Sequence, residues 1–281
     1  MHLVPGHDRA MRWTRAACAV TGLLVGLAGC VTTGAPAKSP YRANNDDDIK
    51  TASDQTTADR LSNTRMELAA AYLGRSQPTD ALDQVKQALQ AKPDNPAAYG
   101  LRGLIYAALG DNEKADESFH RAMQLAPHDG DLMHNYGWYL CQTRRFGEAD
   151  AEFVRAIAEP GYRSVPRTML VEGICQVRAG KSQDAERTLS RAYELDPVSP
   201  TIAVNLAEVL YRNGQYERAR FYIRRVNNRQ ELASAQTLWL AARIEHKLGQ
   251  TEQANAMGAQ LRNRFPQSQE VLQFEKGKFD E

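Results

Sequence analysis

From about residue 62 onward, small and apolar residues return in clusters with a period of 34. The stretch from Pro96 to Pro127 shows the pattern best. Tyr99, Gly103, Tyr106, Ala115, Phe119, Ala122 and Pro127 fall at positions 4, 8, 11, 20, 24, 27 and 32 of the unit. Within each half the steps of three and four place these residues on one face of a helix. Gly110-Asp111 lies between the halves and predicts the break that two antiparallel helices need. Small residues at positions 8 and 20 let the helices approach closely, large ones at 4, 11 and 24 fill the space around that contact, and Pro127 stops the second helix.

This is the tetratricopeptide (TPR) spacing, and it recurs along the chain. The units are placed at about 62–95, 96–129, 130–165, 166–199, 200–234 and 235–268. Unit one carries Leu68, Ala69, Tyr72, Ala81, Val85, Ala88 and Pro93, and unit three carries Tyr136, Gly137, Leu140, Ala149, Phe153 and Ala156. Unit three ends irregularly, in Pro160-Gly161-Tyr162-Arg163-Ser164-Val165-Pro166, and the reference glycine of the next unit, Gly173, comes 36 residues after Gly137. The connection is therefore longer there. Unit five fades after Val226, and unit six returns with Leu238, Ala242, Gly249, Ala254 and Leu261. Val271, Leu272 and Phe274 then suit one capping helix, since a terminal repeat has no neighbour for its outer face. The expected fold is all-α: a superhelical solenoid of six helix-turn-helix repeats plus a cap, over 61–281, curving into a concave channel where function should lie.

The first sixty residues read differently. Arg9, Arg12 and Arg15 precede an apolar run from Ala16 to Gly29, which closes on Leu27-Ala28-Gly29-Cys30. About 14 apolar residues suit the core of an export signal better than a membrane span, which needs roughly 20. Leu-Ala-Gly-Cys resembles the bacterial lipobox, which implies cleavage before Cys30 and acylation of that cysteine. Residue 31 is Val and not Asp, which in bacterial lipoproteins implies sorting to the outer membrane, facing the periplasm. Residues 1–29 are thus read as signal peptide and 30–60 as a lipidated flexible tether, because Thr, Ala, Pro, Asn and Asp dominate it without apolar periodicity. Pro5 and Asp8 are unneeded in a signal, so Met11 competes with Met1 as the start.

Charge narrows the partners. Lysine and arginine number 35 against 34 acidic residues, so no basic field points to nucleic acid and partners should be proteins. Motifs for catalysis are missing: the sequence has no H-E-x-x-H, G-x-S-x-G or P-loop and no clustered metal ligands. We therefore expect no enzyme, no cofactor and no metal, and membrane contact only through the lipid. Apart from Cys18 in the signal and Cys30, two cysteines remain. Cys141 and Cys175 lie on first helices of adjacent units, and in an oxidising periplasm they are either one disulfide or two buried thiols. In TPR units, positions 2, 5, 9, 12 and 13 of each first helix line the concave face. The candidates there are Leu104, then His134, Trp138 and Gln142, then Glu208, Tyr211 and Arg212, and finally Trp239, Arg243 and His246. Trp138 and Trp239 are either binding anchors of the kind enriched in hot spots or rings packed inside the superhelix.

Taken together, the lipobox, the tether, six TPR units, His134-Asn135-Tyr136-Gly137-Trp138-Tyr139-Leu140-Cys141 and Gly173-Ile174-Cys175, with Pro160-x-Tyr162 between, resemble the PilF/PilW family of type IV pilus lipoproteins. The resemblance covers nearly the whole mature chain. It implies an outer-membrane pilotin or pilus-stability factor that helps the pilus secretin reach the outer membrane and assemble. It also implies that Cys141 and Cys175 are joined. A rival expectation is an envelope adaptor lipoprotein that docks proteases or peptidoglycan hydrolases.

Overall fold

A computed structural model describes residues 55–279. The signal peptide, Cys30, the choice of start and most of the tether lie outside these residues. Among the described residues there are thirteen helices: α1 (Thr57–Gly74), α2 (Pro78–Ala91), α3 (Pro96–Ala108), α4 (Asn112–Leu125), α5 (Gly130–Gln142), α6 (Phe146–Ala158), α7 (Val165–Arg178), α8 (Ser182–Leu195), α9 (Pro200–Arg212), α10 (Tyr216–Asn227), α11 (Ala235–Lys247), α12 (Thr251–Arg264) and α13 (Gln269–Glu275). Six consecutive pairs and a cap result, an all-α TPR solenoid. The first helix starts four residues before position 61. Thr56 accepts from the Asp59 amide while the Asp59 carboxylate accepts from the Thr56 amide, a reciprocal cap that satisfies two otherwise orphaned donors. That local chemistry brings residues 57–60, read above as tether, into the helix.

Odd-numbered first helices approach one another closely in series, α1 with α3, α3 with α5, and onward to α11 with α13, whereas the backbones of the even-numbered second helices stand further apart and meet through long side chains, as where Tyr193 of α8 packs edge-on against Tyr222 of α10. Crowding along one side and separation along the other bend the stack, with the first helices on the inside. Repeats two, three and four are each closed by the same contact, a glycine of the first helix against a large side chain of the second. Gly137 faces Phe153, and a Cβ added at Gly137 would sit 2.7 Å from that fully buried ring. Replacing Gly137 with alanine should therefore force the α5–α6 pair apart and cost about 1–3 kcal/mol, the range for overpacking a filled core. Urea unfolding of Gly137→Ala checks this, and an unchanged midpoint would show that the ring yields.

The turns inside the pairs place one residue in the left-handed region. Gly110 fills that position with φ of 78°, but Arg144 holds it in repeat three with φ of 64°, where a side chain is disfavoured. Arg145, next in line, binds the Asp116 carboxylate at 2.8 Å and Glu148 at 2.6 Å. Tyr136 also donates to Asp116 at 3.0 Å, so repeats two and three are joined by a charged network beside their apolar contact.

The long junction between repeats three and four has its own plug. Tyr162 lies against Gly130, where a Cβ would meet its ring at 2.6 Å, and its hydroxyl is 2.8 Å from the Thr168 hydroxyl. Thr168 is fully buried and is also 2.9 Å from Nδ1 of His134. The extra residues thus carry a ring and a hydroxyl into the gap that a shorter turn would leave, and they complete a buried polar chain of Tyr162, Thr168 and His134.

Candidate functional site

Three first helices form an open groove of about 540 Å³ on the inner face. Its floor is apolar, with Met66 and Ala70 from α1, Ala97, Leu101 and Leu104 from α3, and Leu132 from α5. Glu67, Asp129 and Asp131 stand around it with the amides of Asn63 and Asn135. Asp129 is also the N-cap of α5, accepting from the amides of Asp131 and Leu132 at 2.9 and 3.1 Å. An apolar floor with carboxylates at its edge suits a peptide that presents aliphatic side chains flanked by lysine or arginine.

Of the sequence candidates, Leu104 lines this groove and is half-buried. His134 does not reach it. Its ring is 5% exposed, contacts Phe153 edge-on and is held by Thr168, and burial keeps its pKa below the usual histidine range, aided by Arg167. Thr168 of α7, itself held by Tyr162 of the lengthened junction, is the partner that makes this groove position a buried joint. Trp138 is half-buried against the core shared by repeats two to four. Gln142 is exposed and accepts from Arg178 at 3.0 Å. Glu208 and Arg212 pair with each other at 2.9 Å on the surface of α9.

The remaining four, Tyr211, Trp239, Arg243 and His246, come together, but they are not vacant. Phe279, from the segment after α13, occupies the space between them. Tyr211 and Trp239 are each 7% exposed.

Other lining residues of the groove obey the same positional rule. Counted from Ser62, Pro96 and Gly130, positions 2, 5 and 9 include Asn63, Met66, Ala70, Ala97 and Asp131. The floor combines large aliphatic side chains, Met66, Leu101, Leu104 and Leu132, with the small Ala70 and Ala97 that leave it open.

Cys141 on α5 and Cys175 on α7 face each other with Cα atoms 5.8 Å apart, within the range that a disulfide needs. Both are buried. One turn back on α7, Glu172 is 7% exposed and accepts from Gln176 at 3.1 Å, while Gln176 also donates to Asp150 of α6 at 3.2 Å. Burial, with Asp150 adding repulsion, pushes the Glu172 pKa up to about 7. Among the described residues, no group of His, Cys, Asp and Glu could hold a metal ion, and no helix is long and apolar enough to cross a membrane.

Comparison with known proteins places this geometry. A tetratricopeptide repeat model matches residues 66–130, and a model of anaphase-promoting complex (cyclosome) subunit 3 matches residues 178–257. The solved structure of PilW, described as a widely conserved type IV pilus biogenesis factor, is similar with 33% identity and a TM-score of 0.67, over 76% of this chain and 97% of that one. The type IV pilus assembly protein PilF of Pseudomonas aeruginosa is 24% identical over 91% of this chain and 96% of its own length. A solved structure of Pseudomonas aeruginosa PilF superposes with a TM-score of 0.65 at 22% identity, covering 79% of this chain and all of that one, a likeness of fold.

Proposed function

The chain belongs to the PilF/PilW family of type IV pilus biogenesis proteins, and from that premise we propose that it is a lipid-anchored adaptor of the outer membrane. Its inner groove holds a segment of the pilus secretin, or of another pilus protein, during delivery and assembly. The observation that carries this reading is the open 540 Å³ groove on the first helices, apolar in its floor and acidic at its edge. A binding face of this kind needs no chemistry of its own.

In this reading Cys30 is acylated, and two or more acyl chains make the attachment stable, since one chain binds only reversibly. Residues 30–56 serve as the tether. A client held by the groove is then confined near the membrane, and its effective concentration there rises without any new contact. Cys141 and Cys175 are joined as a disulfide after export, stapling repeats three and four across their long junction.

The test is a gene deletion with secretin multimers measured in outer-membrane fractions. We expect multimers and surface pili to fall, and to return with the wild-type chain but not with Leu101→Asp, which sets a carboxylate into the groove floor. Unchanged multimers together with normal pili would overturn the proposal.

A further inference from the structure

The inner face of repeats five and six is covered by a segment of the chain itself. α13 does what a cap requires: Val271 and Phe274 join Leu238, Trp239, Ala242 and Leu261 in one apolar cluster, with Phe274 seated at Gly258. The chain then goes further than capping needs. It turns at Gly277, with φ of 67°, and returns to the channel, where Phe279 reaches α9, one repeat inward and 68 positions away.

Phe279 is held in two ways. Its ring stacks on the exposed imidazole of His246 at 4.2 Å and 11°, lies 5.3 Å from the Trp239 ring, and meets Phe274 edge-on at 5.5 Å. Its main-chain carbonyl accepts from the Tyr211 hydroxyl at 3.2 Å and from Nε of Arg243 at 3.3 Å. Arg243 is fixed in turn over the Tyr211 ring, 4.4 Å from its centroid. Rings for a ring and two donors for one carbonyl make a receptor for an aromatic residue within an extended peptide. The donors grip backbone, so they accept any sequence, and the ring cage selects an aromatic side chain.

We infer that Tyr211, Trp239, Arg243 and His246 form a docking site for an aromatic-bearing peptide, and that the chain's own Phe279 occupies it as an intramolecular competitor. The inference rests on reading the first-helix face as the partner-binding face. A partner segment carrying phenylalanine, tyrosine or tryptophan displaces the tail, and the intrinsic affinity of the site is reduced by the fraction of time that the tail sits in it.

The test uses the full mature chain and an acetylated, fluorescein-labelled Lys-Gly-Lys-Phe-Asp-Glu peptide, the sequence of residues 276–281, followed by fluorescence anisotropy. If the tail fills the site nine-tenths of the time, Phe279→Ala should bind this peptide about tenfold more tightly than wild type. A peptide with alanine for phenylalanine should bind neither chain, and adding Arg243→Ala to Phe279→Ala should remove the gain. Equal binding by wild type and Phe279→Ala, no binding by a folded Phe279→Ala, or equal binding of the alanine peptide would overturn the inference. Far-UV circular dichroism monitors folding. Should Phe279→Ala lose helicity, Phe279→Leu keeps an apolar side chain over Trp239 without the stacked ring, and carries the same expectations. Because the probe is synthetic, this result and the secretin measurement can fail separately.

Discussion

The chain with alanine at both Cys141 and Cys175 is expected to unfold more easily than oxidised wild type by about 3–4 kcal/mol, the chain-entropy value for closing a loop of this size. The two residues are 34 positions apart and their Cα atoms are 5.8 Å apart, so a bridge closes that loop without moving the helices. Alanine suits the test because both sites are buried, and serine would bring in a hydroxyl without a partner. The measurement is thermal and urea unfolding with and without reductant. Reductant should bring wild type close to the double variant and leave the variant unmoved. If reductant changes neither chain and their midpoints coincide, the two sulfurs are free thiols.

The second large effect is expected from Glu172. Its carboxyl is buried beside Asp150, and its pKa of about 7 stands above the 4.5 of an unperturbed glutamate. Between those values the folded chain keeps a proton that the unfolded chain has lost, so folding stability falls as pH rises from about 4.5 to 7 and the penalty is full above 7. Glutamine imitates the protonated acid. Glu172→Gln should therefore match wild type near pH 4 and exceed it at pH 8 by about 3–3.5 kcal/mol, as follows from the size of the shift. Denaturant midpoints across this range check the sign. A constant difference between the two proteins at all pH values would mean that Glu172 is ionised throughout.

Much of the fold was legible because its cause is periodic. Position 8 must be small where position 24 is large, and Gly103 with Phe119, Gly137 with Phe153 and Gly173 with Leu189 each obey that rule in contact. A pattern of three and four reports this directly. The site was less legible because it depends on departures from the period. His134 occupies a lining position, but Thr168 of α7, held by Tyr162 of the longer junction, keeps its ring inside. Phe279 belongs to no repeat, so nothing in the spacing announces that it covers Tyr211 and Trp239. Of the groove floor, Leu104 is legible from its position, whereas Ala70 and Ala97 do their part by being small, and small residues do not stand out as binding residues.

The serial arrangement of the helices also governs how the molecule would bear tension. Because helix pairs contact only their neighbours in the series, a load between an N-terminal anchor of the kind proposed above and a peptide docked at repeats five and six would pass through the inter-repeat contacts one after another, and the weakest would yield first. A bridge from Cys141 to Cys175 takes one of those contacts out of the series. The 34-residue loop would also be withheld from the contour, shortening the full extension by about 110–120 Å at 3.3–3.6 Å per residue. Oxidation would thus make the middle of the solenoid its stiffest part, and stretching would begin in the repeats on either side.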